Sequence, residues 1–209
     1  MLTIIYSSAG GGKSYLTIKK ALQAAKGKSL LIVTYEMSSY NILKRVDACL
    51  DYLHIEAPKK ITVQEKDLSS VITPMLFEKV LHELFTQYDV IALDGYFLNN
   101  LHSSLNLSAE DTHQILKKSL SDVLRHNPSK QIIVNINTNR PNQYLYGSNV
   151  NEENIEKLKQ DFFSSELNIK NEEHILIYRK GFEAFHVFEY NTKKHDIFDN
   201  SDFTFNINK

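Results

Sequence analysis

The sequence Ser7-Ser8-Ala9-Gly10-Gly11-Gly12-Lys13-Ser14 decides the fold, because three consecutive glycines stand directly before a Lys-Ser pair. An apolar, β-branched run at residues 3–6 precedes it and an amphipathic helical pattern follows it. Backbone N–H groups of such a loop, together with the N-terminus of the next helix, bind phosphate. The stretch therefore predicts a phosphate-binding loop of the Walker A type, G-x-x-x-x-G-K-[ST], although Ser7 stands at the first position.

We expect this loop to bind ATP with Mg²⁺. Lys13 would supply a mobile cation for the phosphates, and the Ser14 hydroxyl would bind the metal ion. The residues expected to surround the nucleotide are Ser8, Ala9, Gly10, Gly11, Gly12, Lys13, Ser14 and Tyr15. A glycine-rich turn that binds nothing is the alternative interpretation.

A second metal-binding residue is predicted at Asp94, which ends the apolar run at residues 90–93. A carboxylate at the tip of a buried strand can hold the water shell of Mg²⁺ beside a phosphate-binding loop, as a Walker B residue does. Alternatively, Asp94 only caps a turn with Gly95.

Short apolar runs alternate with helical patterns along the first two thirds of the chain. Strands are predicted at 3–6, 30–35, 90–93, 132–136, 175–178 and 185–190, and helices at 15–25 with Gly27 as the C-cap, 38–53, 75–85 and 115–124. This alternation predicts an α/β fold with a mostly parallel, twisted sheet and helices on both faces. A short connection containing Gly181 predicts an antiparallel C-terminal edge, residues 203–207 a further strand, and residues 138–159 a long surface loop.

Composition limits the classes of protein that this chain can represent. Its 209 residues, 42% of them hydrophobic, suit one domain, 1–209, and its formal charge of -1 gives no global field for nucleic acid. The single cysteine, Cys49, excludes an internal disulfide and a cysteine-built zinc site, and we expect it to be a buried small hydrophobe. No apolar run is long enough to span a bilayer, so we expect no membrane association and a cytoplasmic location.

Three further blocks resemble, in order, the DnaB-type replicative helicase family. They are the strand and Glu-Met-Ser sequence at 30–38, the Walker B run Asp-Gly-Tyr-Phe-Leu at 94–98, and the strand Ile-Val-Asn-Ile-Asn-Thr-Asn-Arg at 133–140. The resemblance implies a RecA-like P-loop ATPase core. It also implies that Glu36 activates the attacking water, a role that its place at a strand end next to the loop makes chemically reasonable.

The resemblance assigns two more residues near the phosphates. Asn137 stands where the family has a Gln that senses the γ-phosphate, and it is one methylene shorter. Lys193, with Lys194 as its alternative, stands near the place where hexameric members supply a neighbour's basic residue to the ATP site. Both lysines could equally be solvated surface residues.

Single-stranded DNA is the macromolecular partner that the resemblance implies. Arg140 matches a family arginine, and the loop that follows carries Asn142 and Tyr144, whose amide and ring suit phosphate contact and base stacking. Glu152 and Glu153 lie close by and oppose DNA binding.

The family's N-terminal domain and linker have no counterpart before Ser7. This difference argues against a stable hexamer of the isolated chain. The resemblance still implies a homo-oligomer, a hexamer or one that assembles only on nucleotide or DNA. Alternatively, a replication or recombination protein supplies the missing contacts, or the motor is reduced to an ATP-binding module. The leading expectation is an ATPase that acts on single-stranded DNA as a helicase or translocase.

Two other function classes remain open on the sequence. One is a non-motor ATP-binding adaptor or helicase modulator with the same fold, which the departures at Ser7 and Asn137 favour. The other is a P-loop nucleoside kinase, although only four arginines and one cysteine are available for its lid and zinc site.

Overall fold

The computed structural model describes residues 1–7, 12–54, 56–65, 74–95, 109–137, 172–179, 187–191 and 197–199. The helices described there are α1 (Lys13–Ala24), α2 (Ser39–Leu53), α3 (Pro74–Phe85) and α4 (Ala109–His126). The strands are β1 (Leu2–Ser7), β2 (Ser29–Thr34), β3 (Lys60–Glu65), β4 (Val90–Asp94), β5 (Gln131–Asn137), β6 (Glu172–Arg179), β7 (Val187–Asn191) and β8 (Ile197–Asp199).

The described strands form one sheet in the order β3-β2-β4-β5-β1-β6-β7-β8. The first six strands of this order, β3-β2-β4-β5-β1-β6, all pair in parallel with their neighbours. Strand β7 pairs antiparallel with both β6 and β8. The prediction of an α/β fold with a mostly parallel sheet and an antiparallel C-terminal edge is therefore confirmed.

Helices cover both faces of the sheet, and strand order explains which helix lies where. Because crossovers between parallel strands are right-handed, helices that carry the chain toward β3 and helices that carry it back lie on opposite faces. Accordingly α1 packs against α2, while α3 packs against α4. The first pair forms one hydrophobic core with alternate sheet residues, among them Ile5, Leu30, Ile32 and Ala92.

The helix ends follow local sequence. Ser38 is the N-cap of α2, and its side chain accepts a hydrogen bond from the Asn41 N–H. Helix α1 ends at Ala24 with Ala25 as its C-cap, two residues before the predicted cap. Gly27 lies in the turn that follows, with φ of +66°, where the absence of a Cβ relieves strain.

Two strands were not expected. Strand β3 alternates half-buried Ile61 and Val63 with polar residues, and among the described strands it pairs only with β2. It therefore lacks the long apolar run of a central strand. Strand β8 is a three-residue edge strand. The strand predicted at 203–207 and the loop at 138–159 lie outside the described residues. None of the described helices has the length and apolar character needed to cross a bilayer.

Candidate functional site

Three charged residues meet at the carboxyl edge of the parallel sheet. Lys13 begins α1 beyond β1, Glu36 follows β2, and Asp94 ends β4. Strands β2 and β4 are neighbours in the sheet, but the helices that follow them, α2 and α4, lie on opposite faces. Such a point opens a crevice at the carboxyl ends of the strands, which is where α/β sheets bind ligands.

Lys13 and Glu36 form an ion pair across this crevice. Lys13 Nζ lies 3.7 Å from Glu36 Oε2. The lysine side chain is only 7% exposed, whereas the glutamate side chain is 38% exposed. The cation is thus buried beside the sheet, and its carboxylate partner lies on the solvent side. A buried ammonium group needs such a partner, because the charge is otherwise poorly solvated.

The turn that carries Glu36 is held in place by its neighbours. The Thr34 hydroxyl donates to the Met37 carbonyl at 2.9 Å and accepts from the Met37 N–H at 3.1 Å. The Tyr35 N–H donates to the Asp94 carbonyl at 3.0 Å, which ties the turn to the end of β4. These bonds fix Glu36 relative to Asp94 through the backbone.

Asp94 is fully buried, and one of its two carboxylate oxygens is unpaired. Its Oδ2 atom has no hydrogen-bond partner among the described residues. Burial raises the pKa of Asp94 above its usual range, and the charge of Glu36 acts in the same direction. Hydrogen bonds from Asn135 and Ser14, and the charge of Lys13, act to lower this pKa.

A buried amide connects these elements. Asn135 Nδ2 donates to Asp94 Oδ1 at 2.5 Å and to Thr17 Oγ1 at 2.9 Å, and Asn135 Oδ1 accepts the Gly95 N–H at 2.8 Å. The Thr17 hydroxyl in turn donates to the Lys13 carbonyl at 2.8 Å. From the sequence, Asn135 is predicted only as part of a strand. Its one signal was a polar residue inside the apolar run 132–136.

The residues present fit a magnesium ion. Mg²⁺ prefers oxygen ligands and keeps several waters, so it needs few protein groups. The unpaired oxygen of Asp94 and the Ser14 hydroxyl, which hydrogen-bonds to that carboxylate, are groups of this kind. No group of three or more His, Cys, Asp or Glu side chains that could hold a metal occurs in the described part of the chain.

Other predicted residues are only partly placed. Gly12 precedes α1 with φ of +89°, a conformation that suits glycine, and its carbonyl accepts the Leu16 N–H. The Tyr15 side chain hydrogen-bonds to Cys49 on α2, so its ring packs between two helices. Asn137 is the last residue of β5 and lies at the same edge of the sheet. The residues that fall outside the described ranges are Ser8, Ala9, Gly10, Gly11, Arg140, Asn142, Tyr144 and Lys193.

A scan against protein-family models and a search of curated proteins both find no match to this chain.

Proposed function

We propose that this chain is a RecA-like, DnaB-related ATPase that binds ATP with Mg²⁺, hydrolyses the ATP, and acts on single-stranded DNA as a helicase or translocase. The observation that carries the proposal is the convergence of Lys13, Glu36 and Asp94 at one crevice of a parallel sheet. A cation, an adjacent carboxylate and a buried carboxylate with a free oxygen are the groups that phosphoryl transfer to water requires.

Each residue has a role that its surroundings support. Lys13 would bind the phosphates, and Ser14 and Asp94 would hold Mg²⁺, which neutralises phosphate charge when bound. Glu36 would orient the attacking water and accept its proton. Because Glu36 is more exposed than Lys13, it can turn toward water while the lysine stays in the crevice.

The ion pair also suggests an order of events. Phosphate oxygens would compete with the Glu36 carboxylate for Lys13 Nζ, because the phosphate and the carboxylate are both anions that bind an ammonium group. Binding of the nucleotide would then release the carboxylate from the lysine and make it available as a base.

The DNA-related part of the proposal rests on the sequence resemblance. The strand order and the parallel pairing are compatible with a RecA-like fold. Arg140, Asn142 and Tyr144 stay predicted DNA contacts, Asn137 a predicted phosphate sensor, and Lys193 a predicted contribution to a neighbour's site. Their test requires a homo-oligomer or DNA complex.

The proposal is tested by steady-state ATP hydrolysis with and without single-stranded DNA. Wild-type turnover should rise with DNA, and Lys13→Ala should reduce it to background. Lys26→Ala is the matched control, because Lys26 forms a surface ion pair with Glu56 at 3.1 Å and lies outside the crevice. This control should retain wild-type turnover.

Three results would overturn the motor proposal. Nucleotide that raises the melting temperature while turnover stays at background, with and without DNA, would favour the ATP-binding adaptor. Transfer of phosphate to a nucleoside rather than to water would favour the kinase. Equal turnover by wild type and Lys13→Ala would show that the proposed nucleotide site is wrong.

A further inference from the structure

Asn135 is a buried amide that directly follows the buried apolar residues 132–134 of β5. It lies in β5, between β1 and β4, and its side chain has no exposed surface. Its strand neighbours Ile133 and Val134 are equally buried. Burying an amide in such a place is unfavourable unless each polar atom is hydrogen-bonded. The polar atoms of the Asn135 side chain therefore need hydrogen-bond partners inside the protein.

The side-chain hydrogen bonds that the structure gives Asn135 all go to the candidate site. The two Nδ2 hydrogens are divided between Asp94 and Thr17, and Oδ1 accepts from Gly95. Thr17 belongs to the helix that begins with Lys13, and Gly95 follows the buried carboxylate. One amide thus connects the strand that carries Asp94 to the helix that carries Lys13.

The pattern of donation is selective for one oxygen of Asp94. Asn135 binds Oδ1, while Oδ2 has no hydrogen-bond partner among the described residues. A carboxylate with one oxygen held by a donor cannot rotate freely, so the other oxygen keeps a defined direction. Groups that hold a metal-binding carboxylate in this way affect metal affinity strongly.

We infer that Asn135 is a positioning residue for Asp94. It holds the Asp94 carboxylate in a fixed position relative to α1, so that the Oδ2 atom is available to the water shell of Mg²⁺. The inference rests on the proposed function. It assigns to β5 a role in metal binding that is separate from the phosphate-sensing role predicted for Asn137.

The test uses Asn135→Ser and Asn135→Leu in the full chain. Both remove the amide donor, and the smaller serine leaves room for water if the leucine variant fails to fold. The readout is the Mg²⁺ concentration that gives half of the rise in melting temperature produced by a non-hydrolysable ATP analogue. Metal-free binding of the analogue in a chelator is measured beside it.

We expect the half-saturating Mg²⁺ concentration to rise about 10-fold or more, with metal-free nucleotide binding unchanged. Turnover of Asn135→Ser should recover at high Mg²⁺. Asn127→Ser is the matched control. Asn127 follows α4, and its amide bonds to His82 and to the Val123 carbonyl, away from the crevice. It should change stability but not the Mg²⁺ requirement.

A folded Asn135 variant with an unchanged Mg²⁺ requirement would overturn the inference and leave the proposed function intact. An equal shift in Asn127→Ser would also overturn it, because the effect would then be one of general stability. If the wild-type protein shows no Mg²⁺-dependent stabilisation by the analogue, the proposed function fails and the inference fails with it.

Discussion

Gly95 lies directly against Glu36. A Cβ atom built at Gly95 would stand 2.5 Å from Glu36 Cγ and 2.9 Å from Glu36 Cδ, closer than non-bonded carbon atoms approach each other. Gly95 also has φ of +76°, a conformation that side chains with a Cβ rarely adopt. The residue after the buried carboxylate therefore determines where the predicted base can lie.

Gly95→Ala is expected to displace Glu36 and to reduce ATP turnover, on the order of 100-fold, because misplacing a reacting group by about 1 Å has an effect of that size. It should also destabilise the fold by about 1–3 kcal/mol through backbone strain. Turnover and urea unfolding measure the two effects.

Gly27→Ala is the control, since Gly27 has φ of +66° but open space around it. It should lose stability and keep turnover, and equal turnover by both variants would contradict the prediction.

Glu36→Gln should stop hydrolysis and retain nucleotide binding. The amide keeps the shape of the side chain but accepts no proton, so a loss of about 100-fold to 10,000-fold in turnover is expected. Binding should be retained or tightened, because Lys13 loses its competing carboxylate. Single-turnover hydrolysis and binding of a fluorescent nucleotide measure these effects separately. Glu56→Gln, which affects only a surface pair with Lys26, is the control, and a parallel fall in both measurements would argue against a role in catalysis.

Asp89→Asn should destabilise the protein in a pH-dependent way. The hydrogen bond from Lys130, at 2.9 Å, and those from the Ser29 backbone and hydroxyl hold the pKa of Asp89 well below its usual range. A lowered folded-state pKa contributes stability above the unfolded pKa of about 3.9, and this contribution is lost as the pH falls toward the folded-state value. Because Asp89 is partly exposed, we expect about 1 kcal/mol at pH 7.

The measurement is urea unfolding of wild type and Asp89→Asn from pH 7 down to pH 3. The difference in unfolding free energy should be constant near neutrality and shrink below about pH 4. Asp122→Asn breaks an exposed pair with Arg125 and should cost no more than about 0.5 kcal/mol. A difference for Asp89→Asn that does not change with pH would exclude the charge as its cause.

Cys49 should react with a thiol reagent only after unfolding. It is the single cysteine, it has no exposed surface, and burial raises the pKa of its thiol. A stability of even about 5 kcal/mol leaves roughly one molecule in several thousand unfolded, so labelling in buffer should be at least about 1,000-fold slower than in urea. Rapid labelling of the native protein would reveal local opening of α2.

The predictable parts of the fold share a physical origin. Central strands such as β2 and β4 are buried on both faces, so they have continuous apolar runs that sequence alone identifies. Strand β3 was missed because an edge strand with one neighbour carries only two apolar side chains. Helix α2 was predicted almost to the residue, since Ser38 caps it and its apolar face is periodic.

The site divides along similar lines. Lys13 and Asp94 were predicted from a glycine-rich loop and a strand end, and Glu36 from the family resemblance. The structure brings all three together. The roles of Asn135 and Gly95 were not predictable, because they depend on which strands are neighbours. The sequence does not state that β5 lies between β1 and β4, and only this order brings the Asn135 amide within reach of Asp94 and Thr17.

The same strand order has a consequence for synthesis of the protein. Strand β1 is made before the other described strands of the sheet, yet its Leu2 pairs with Ile132 and Glu172. During synthesis β1 lacks its partners β5 and β6 until β5 leaves the ribosome, whereas β2, β3 and β4 can pair with one another earlier. Folding dominated by such distant pairings is slow, and the waiting apolar strand is open to aggregation. Chaperone protection of the nascent chain should therefore matter most before residue 131 and decline once β5 is available.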